Sequence, residues 1–204
     1  MMYSSPSASD YTGLKAVVLR RGLHMSAPVF LIFYLFPDDM WIGFSKWIFP
    51  PLMLAAVFGF EYRRVKRGRQ YFGLRGYERR RPASFAYAVV GFVLCYYLIP
   101  FEAAVPAFFG MGFIDPYISF AKKRGWPSYP LSPMGLYLIL SLVWFYFLTS
   151  PFNALVLAGT GALVAVAAEA PQNPWLDDDF LMVFVPAVAM YVVSLGIGLQ
   201  WAVF

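Results

Sequence analysis

The chain is poor in the two side chains that most often build metal and redox chemistry. Among 204 residues it has one cysteine, Cys95, and one histidine, His24. A lone thiol excludes an intramolecular disulfide, and one thiol with one imidazole excludes a zinc site made of cysteine and histidine. Charge is also scarce, at 13% of residues, about half the share of an ordinary soluble domain. No clear internal repeat and no low-complexity segment occurs. The start, "MMYSSPSASDYTG", has Asp10 as its one charge and lacks the basic start, apolar core and cleavage site of a signal peptide. Residues 1 to 14 are therefore expected to form a frayed tail. Segments alternating apolar and polar residues, the mark of a transmembrane β-barrel, are absent too.

What is present is apolar, with 60% hydrophobic and 20% aromatic residues. The expected fold class is all-α: one integral-membrane domain over 1–204, a polytopic helical bundle. At about 20 residues per spanning helix, the chain holds about seven spans with short connections. Seven apolar segments fit, at 24–37, 41–60, 83–100, 102–120, 134–150, 152–169 and 180–203. The first is short, and its helix is expected to extend back through "VVLRRGLH" with Arg20 and Arg21 reaching the interface.

Charge sets the expected orientation. Lys15, Arg20 and Arg21 precede span 1, nine cations lie between Arg63 and Arg81, and Lys122, Lys123 and Arg124 follow span 4. With seven spans these fifteen of the sixteen Lys and Arg share one side, leaving Lys46 on the other. The positive-inside rule makes that side the cytoplasm, with the N-terminus cytoplasmic and the C-terminus outside. The basic balance then reflects topology and contact with anionic membrane lipids, not nucleic acid. The opposite side carries Pro- and Asp-containing turns such as "FPDDMW".

Four features are expected to meet on the cytoplasmic face. Asp115 lies within span 4, with Gly110 and Gly112 before it and Pro116 after it. Proline removes a backbone hydrogen bond, so a broken helix with polar groups turned towards a cavity is expected there. An ionisable group inside a span marks a functional site by default. Glu169 closes span 6, and Asp177, Asp178 and Asp179 open span 7; one or two acids cap a helix, but three adjacent carboxylates can also hold Mg²⁺ through oxygen. Lys122, Lys123 and Arg124 can steady phosphates. The loop 61–82 interleaves basic residues with Tyr71, Phe72 and Tyr77, as a helix lying on a membrane does. In it, Glu78 is expected to pair with an arginine, while Glu61 is open between a functional and an interfacial role. His24 suits an interfacial position or a ligand.

The order of these features, "RRGLH" at span 1, "FEYRR" closing span 2, "ERRRPASFAYAVVGFVLCYYLIP" leading into span 3, "DP" in span 4 and "AEAPQNPWLDDDFLMVFVP" joining spans 6 and 7, resembles the dolichol kinase and phytol kinase superfamily. That superfamily includes CTP-dependent diacylglycerol kinases. The resemblance covers about residues 15 to 190 and rests on the order of motifs. It implies an enzyme of lipid metabolism: a kinase transferring a phosphoryl group from a nucleoside triphosphate, usually CTP, to an isoprenoid or other lipid alcohol or a lipid monophosphate. The family's Arg-Lys-x-x-His corresponds to Arg20, Arg21 and His24, its Gly-Asp-Pro to Asp115 and Pro116, and its Glu-Ala and Asp-Asp-Asn to Glu169, Ala170 and Asp177 to Asp179. Ile114 stands where the family has glycine, Asp179 where asparagine is common, and the family's Lys-Ser-x-x-Gly-Ser stretch has only "SYPLSPMG" as a counterpart.

The expected assignment gives Mg²⁺ to Asp115 with Asp177, Asp178 and Asp179. The nucleotide phosphates go to Lys122, Lys123, Arg124, Arg20, Arg21 and His24, and the alcohol proton to Asp115 or Glu169. The implied partners are the lipid alcohol, the nucleoside triphosphate and membrane lipids, in a cell or endoplasmic reticulum membrane, and a homo-oligomer is compatible with this. Rival readings are a cytidylyltransferase making a CDP-activated lipid and a non-catalytic lipid-binding or transport relative.

Overall fold

The structure, a computed structural model, describes residues 14–37, 45–69, 71, 73–74, 76–169 and 177–201. The tail before Leu14, most of the "FPDDMW" turn, Phe72 and the segment from Ala170 to Leu176 lie outside the described residues. Within them every regular element is helical. Helix α1 (Leu14–Met25) runs through a 3-10 turn (Ala27–Leu31) into α2 (Ile32–Leu35). A second 3-10 turn (Lys46–Ile48) leads into α3 (Phe49–Lys66), and a third (Gly76–Arg80) precedes α4 (Ser84–Leu98). Then α5 (Phe101–Phe109), a π-helical turn (Gly110–Ile114) and α6 (Asp115–Arg124) form one rod, followed by α7 (Leu131–Tyr146), α8 (Pro151–Glu169) and α9 (Asp178–Gly196).

Four of these rods are long and apolar enough to cross a membrane: Lys15–Leu35, Phe101–Arg124, Pro151–Glu169 and Asp178–Gly196. Helices α4 and α7 are apolar but have only 15 and 16 residues. Helix α3 has the length, but Glu61, Arg63, Arg64 and Lys66 in its last two turns lower its hydropathy. The expected backward extension of the first span is present, since the apolar rod there begins at Lys15.

Large apolar side chains point outwards all around the bundle, among them Val29, Leu35, Leu52, Ile139, Val143, Phe152, Leu163 and Val192. In water such a surface would be an association liability; against hydrocarbon it is the ordinary exterior. Lipid tails are as apolar as leucine, so the helices must be held by close packing rather than by hydrophobicity. Helix α8 meets that need with Ala154, Ala158, Gly161, Ala162, Ala165 and Ala168, all buried and spaced at helical period. Helix α9 packs on α8, α4 and α5 and forms the middle of the bundle, while α3 packs mainly on α4.

The tightest point is the contact of the π-turn with α7. A Cβ added to Gly110 would lie 2.2 Å from Cε2 of Tyr137, whose ring is fully buried. Gly110→Ala is therefore expected to destabilise the detergent-solubilised protein by at least the ~1–3 kcal/mol typical of overpacking. Tyr137→Leu in the same chain should restore part of its thermal midpoint. An unchanged midpoint in the single variant would contradict this packing.

Candidate functional site

The site begins with how the middle rod carries Asp115. Pro116 has no amide hydrogen for the carbonyl one turn back, and its ring crowds that carbonyl. The rod does not break there, as the sequence led one to expect; it widens by one residue. The Asp115 N–H donates to the carbonyl of Gly110, five residues back. One extra residue in a turn rotates everything after it by about 100°, which re-aims the Asp115 side chain relative to a straight α-helix.

Gly112, inside the wide turn, faces the first span. A Cβ on it would sit 3.2 Å from the carbonyl oxygen of His24 and 3.1 Å from Cδ of Pro28. Its bare backbone lets α1 come close, and this approach brings His24 Nδ1 to 3.9 Å from Asp115 Oδ2. The third member comes from the far end of the sequence. Asp177 caps α9 by accepting the Asp179 N–H on its Oδ1 at 3.2 Å. The first turn so fixed carries Asp179, whose Oδ1 lies 4.0 Å from the same imidazole nitrogen.

His24, Asp115 and Asp179 are all buried and offer ligand atoms within 4.8 Å of one another. Asp177, Asp178 and Asp179 form an overlapping group meeting the same limit. Burial, and next the hydrogen bond and charge of Asp178, push the Asp177 carboxyl up to about 6. Carboxylates so crowded and screened from water repel one another, and a divalent cation removes the repulsion. The donor set fits such an ion. Its oxygens suit Mg²⁺, and the single imidazole nitrogen also suits Mn²⁺.

The sequence grouped His24 with the phosphate-binding cations; the geometry brings its imidazole next to the carboxylates of Asp115 and Asp179. The cations fall into two groups. Lys122 lies seven residues after Asp115, two turns along the same face of α6. It makes an ion pair with Glu169 at the end of α8, and its Nζ lies 5.4 Å from the ring centre of Tyr129. The guanidinium groups of Arg21 and Arg124 both contact the Phe120 ring, at 5.6 Å and 4.4 Å from its centre. Arg20 is half-buried one turn before His24, and Lys123 is exposed. Glu169 is thus tied to Lys122 and lies near enough to Asp178 for their charges to interact.

The connection between α3 and α4 is built on a buried ion pair. Glu61, near the end of α3, forms a two-pronged pair with Arg64, Nε to Oε1 at 2.8 Å and Nη2 to Oε2 at 2.7 Å. A buried carboxylate needs such a partner, and the fork of arginine matches it. Arg64 also donates to the backbone carbonyls of Glu78 and Arg81, each at 2.7 Å. Among the described residues, the loop is thus gathered around one guanidinium. Tyr71 stacks on Phe60 of α3. The carboxylate of Glu78 accepts the Ser84 N–H on its Oε1 at 3.0 Å, and the Ser84 hydroxyl oxygen lies 2.9 Å from the same atom.

Ser84, Glu78 and Gly112 were not singled out as site residues from the sequence. The role of Gly112 depends on its contact with the distant His24 and Pro28, and those of Glu78 and Ser84 on how the loop turns into α4.

No family model, no curated protein and no solved structure matches this chain.

Proposed function

We propose that the protein is a membrane-embedded phosphotransferase acting on a lipid alcohol or lipid monophosphate, with CTP as the preferred donor. The observation that carries this reading is the buried convergence of His24, Asp115 and Asp179 from three separate helices, with Lys122, Arg21 and Arg124 close by in sequence on two of them. Phosphoryl transfer asks a protein to align two substrates and to stabilise spread negative charge, and acidic metal ligands beside cations are the parts it uses. The nucleotide identity and the acceptor class rest on the resemblance in motif order.

In this reading the chain crosses the membrane seven times, with its N-terminus and basic clusters cytoplasmic and its C-terminus outside. His24, Asp115 and Asp179, with Asp177 and Asp178 behind them, would hold Mg²⁺, which when bound neutralises charge on the phosphates. Arg21, Arg124 and Lys122 bind the phosphates, with Arg20 and Lys123 at the rim. The lipid hydroxyl oxygen forms a bond to the terminal phosphorus as the bond from that phosphorus to the bridging oxygen breaks, and the nucleoside diphosphate leaves. The hydroxyl proton passes to Glu169, a better base than Asp115, whose carboxylate serves the cation.

The test is incubation of the purified protein with labelled CTP or ATP, Mg²⁺ and a panel of polyprenols, prenyl monophosphates and diacylglycerol. Phosphorylated lipid with nucleoside diphosphate is expected, with the rate falling at least ~100-fold in Glu169→Gln, the upper part of the range for a general base. Release of pyrophosphate with a CDP-lipid would make the protein a cytidylyltransferase. No turnover with any donor, with lipid binding unchanged in Asp115→Asn, would make it a non-catalytic lipid-binding protein.

A further inference from the structure

The hydroxyl of Ser84 stands between two carboxylates from different parts of the chain. Ser84 is the first residue of α4 and is buried. Its Oγ lies 2.9 Å from Glu78 Oε1 and 3.1 Å from Asp177 Oδ2. The other oxygen of Asp177 accepts the Asp179 N–H, and the backbone carbonyl of Glu78 is held by Arg64. A continuous path of hydrogen bonds thus runs from the buried Arg64 through Glu78, Ser84 and Asp177 to the backbone of Asp179, one of the three residues that converge with His24.

A serine at a helix start ordinarily caps that helix. Here that task belongs to others. The Ala83 N–H donates to Glu61 Oε2 at 2.8 Å, and the Ser84 N–H donates to Glu78 Oε1 at 3.0 Å. The first amides of α4 are satisfied by two glutamates, so the hydroxyl is available to the acidic cluster. Its position is informative because it has one proton to give. Donated to Asp177, that proton fixes the carboxylate rotamer that caps α9 and sets the direction in which Asp179 projects.

We infer that Ser84 is a positioning residue of the cation centre, acting through Asp177, with Glu78 and Arg64 as its anchor. The inference rests on the reading of His24, Asp115 and Asp179 as cation ligands. Residues that orient ligands from behind typically change metal affinity by about 10–100-fold when removed. The same change is expected to move the cation-free midpoint by no more than the loss of one hydrogen bond does, because the capping of α4 does not depend on the hydroxyl.

The experiment measures Mn²⁺ affinity by the electron paramagnetic resonance signal of free Mn²⁺, on the full chain in detergent, together with the thermal midpoint without cation. Ser84→Ala is expected to lose about 10–100-fold in Mn²⁺ affinity with its cation-free midpoint close to wild type, while Ser84→Thr, which keeps the hydroxyl, retains wild-type affinity. If Ser84→Ala does not fold, Ser84→Cys has nearly the same shape and a weak donor, and is expected to show the same direction of loss. Wild-type affinity in Ser84→Ala or Ser84→Cys overturns the positioning role alone. Absence of Mn²⁺ binding in the wild-type protein overturns both this role and the cation centre.

Discussion

Asp115→Asn and Asp179→Asn are each expected to abolish the response of the protein to divalent cations while making the cation-free protein no less stable. The two effects have opposite signs for one reason. Asp115 and Asp179 are buried within reach of each other and of His24, and Asp177 and Asp178 crowd the same turn of α9. Without a cation, ionised carboxylates so placed cost free energy, and asparagine keeps their shape without the charge. In the proposed centre the same carboxylates would be the ligands of the cation. Loss of one should weaken binding by more than the ~100-fold typical of residues acting from behind. In the wild-type protein a cation at a hundred times its Kd adds about 2.7 kcal/mol of stability by mass action; in either variant the thermal midpoint should stay flat as Mg²⁺ or Mn²⁺ is added. His24→Ala should reduce Mn²⁺ binding more than Mg²⁺ binding, since nitrogen suits the softer ion. Midpoints that rise with cation as in the wild type, in both aspartate variants, would rule out this centre.

The second large effect is on stability. Arg64→Ala should cost about 3–5 kcal/mol, the range for breaking a buried ion pair from one side. The Arg64 side chain is wholly buried and Glu61 nearly so, so the remaining carboxylate has no water to turn to. Two backbone carbonyls, those of Glu78 and Arg81, lose their donor at the same time. Arg64→Lys should recover little, because an ammonium cannot serve both oxygens of Glu61 and two carbonyls in a fixed plane. Replacing both partners, Arg64→Met with Glu61→Gln, should recover part of the loss, the rest remaining because Glu61 also accepts the Ala83 N–H. Thermal or denaturant unfolding in detergent reads all three variants. A midpoint for Arg64→Ala equal to wild type would show that the guanidinium does not organise the loop between α3 and α4.

The residues of the centre were visible in the sequence because each broke a local pattern. Asp115 interrupts an apolar segment, three aspartates exceed what one helix cap needs, and Lys122 to Arg124 close a span with three cations. Their grouping was not visible in the same way. His24 looks like an interfacial residue when only its arginine neighbours are considered; its place among the carboxylates follows from Gly112, which touches the His24 backbone across two helices. Glu61 near the end of α3 and Glu78 in the loop after it both stand among basic residues and look alike in sequence. Glu61 is buried against Arg64 of its own helix, while Glu78 reaches Ser84 at the start of α4, a difference set by how the loop folds back on α3.

Sequence by itself determined that the chain is helical and apolar enough to enter a membrane, since continuous apolar runs leave the backbone no other way to satisfy its hydrogen bonds in lipid. It also marked the candidate side chains, because a charge inside an apolar run is costly wherever the run is placed. Tertiary structure alone decided which of those charges meet. The one-residue widening before Asp115 re-aims that side chain, the bare backbone of Gly112 sets the distance to His24, and the path through Ser84 to Asp177 orients the start of α9. Each is a matter of ångströms between segments far apart in the chain, and no local pattern of residues encodes such a distance.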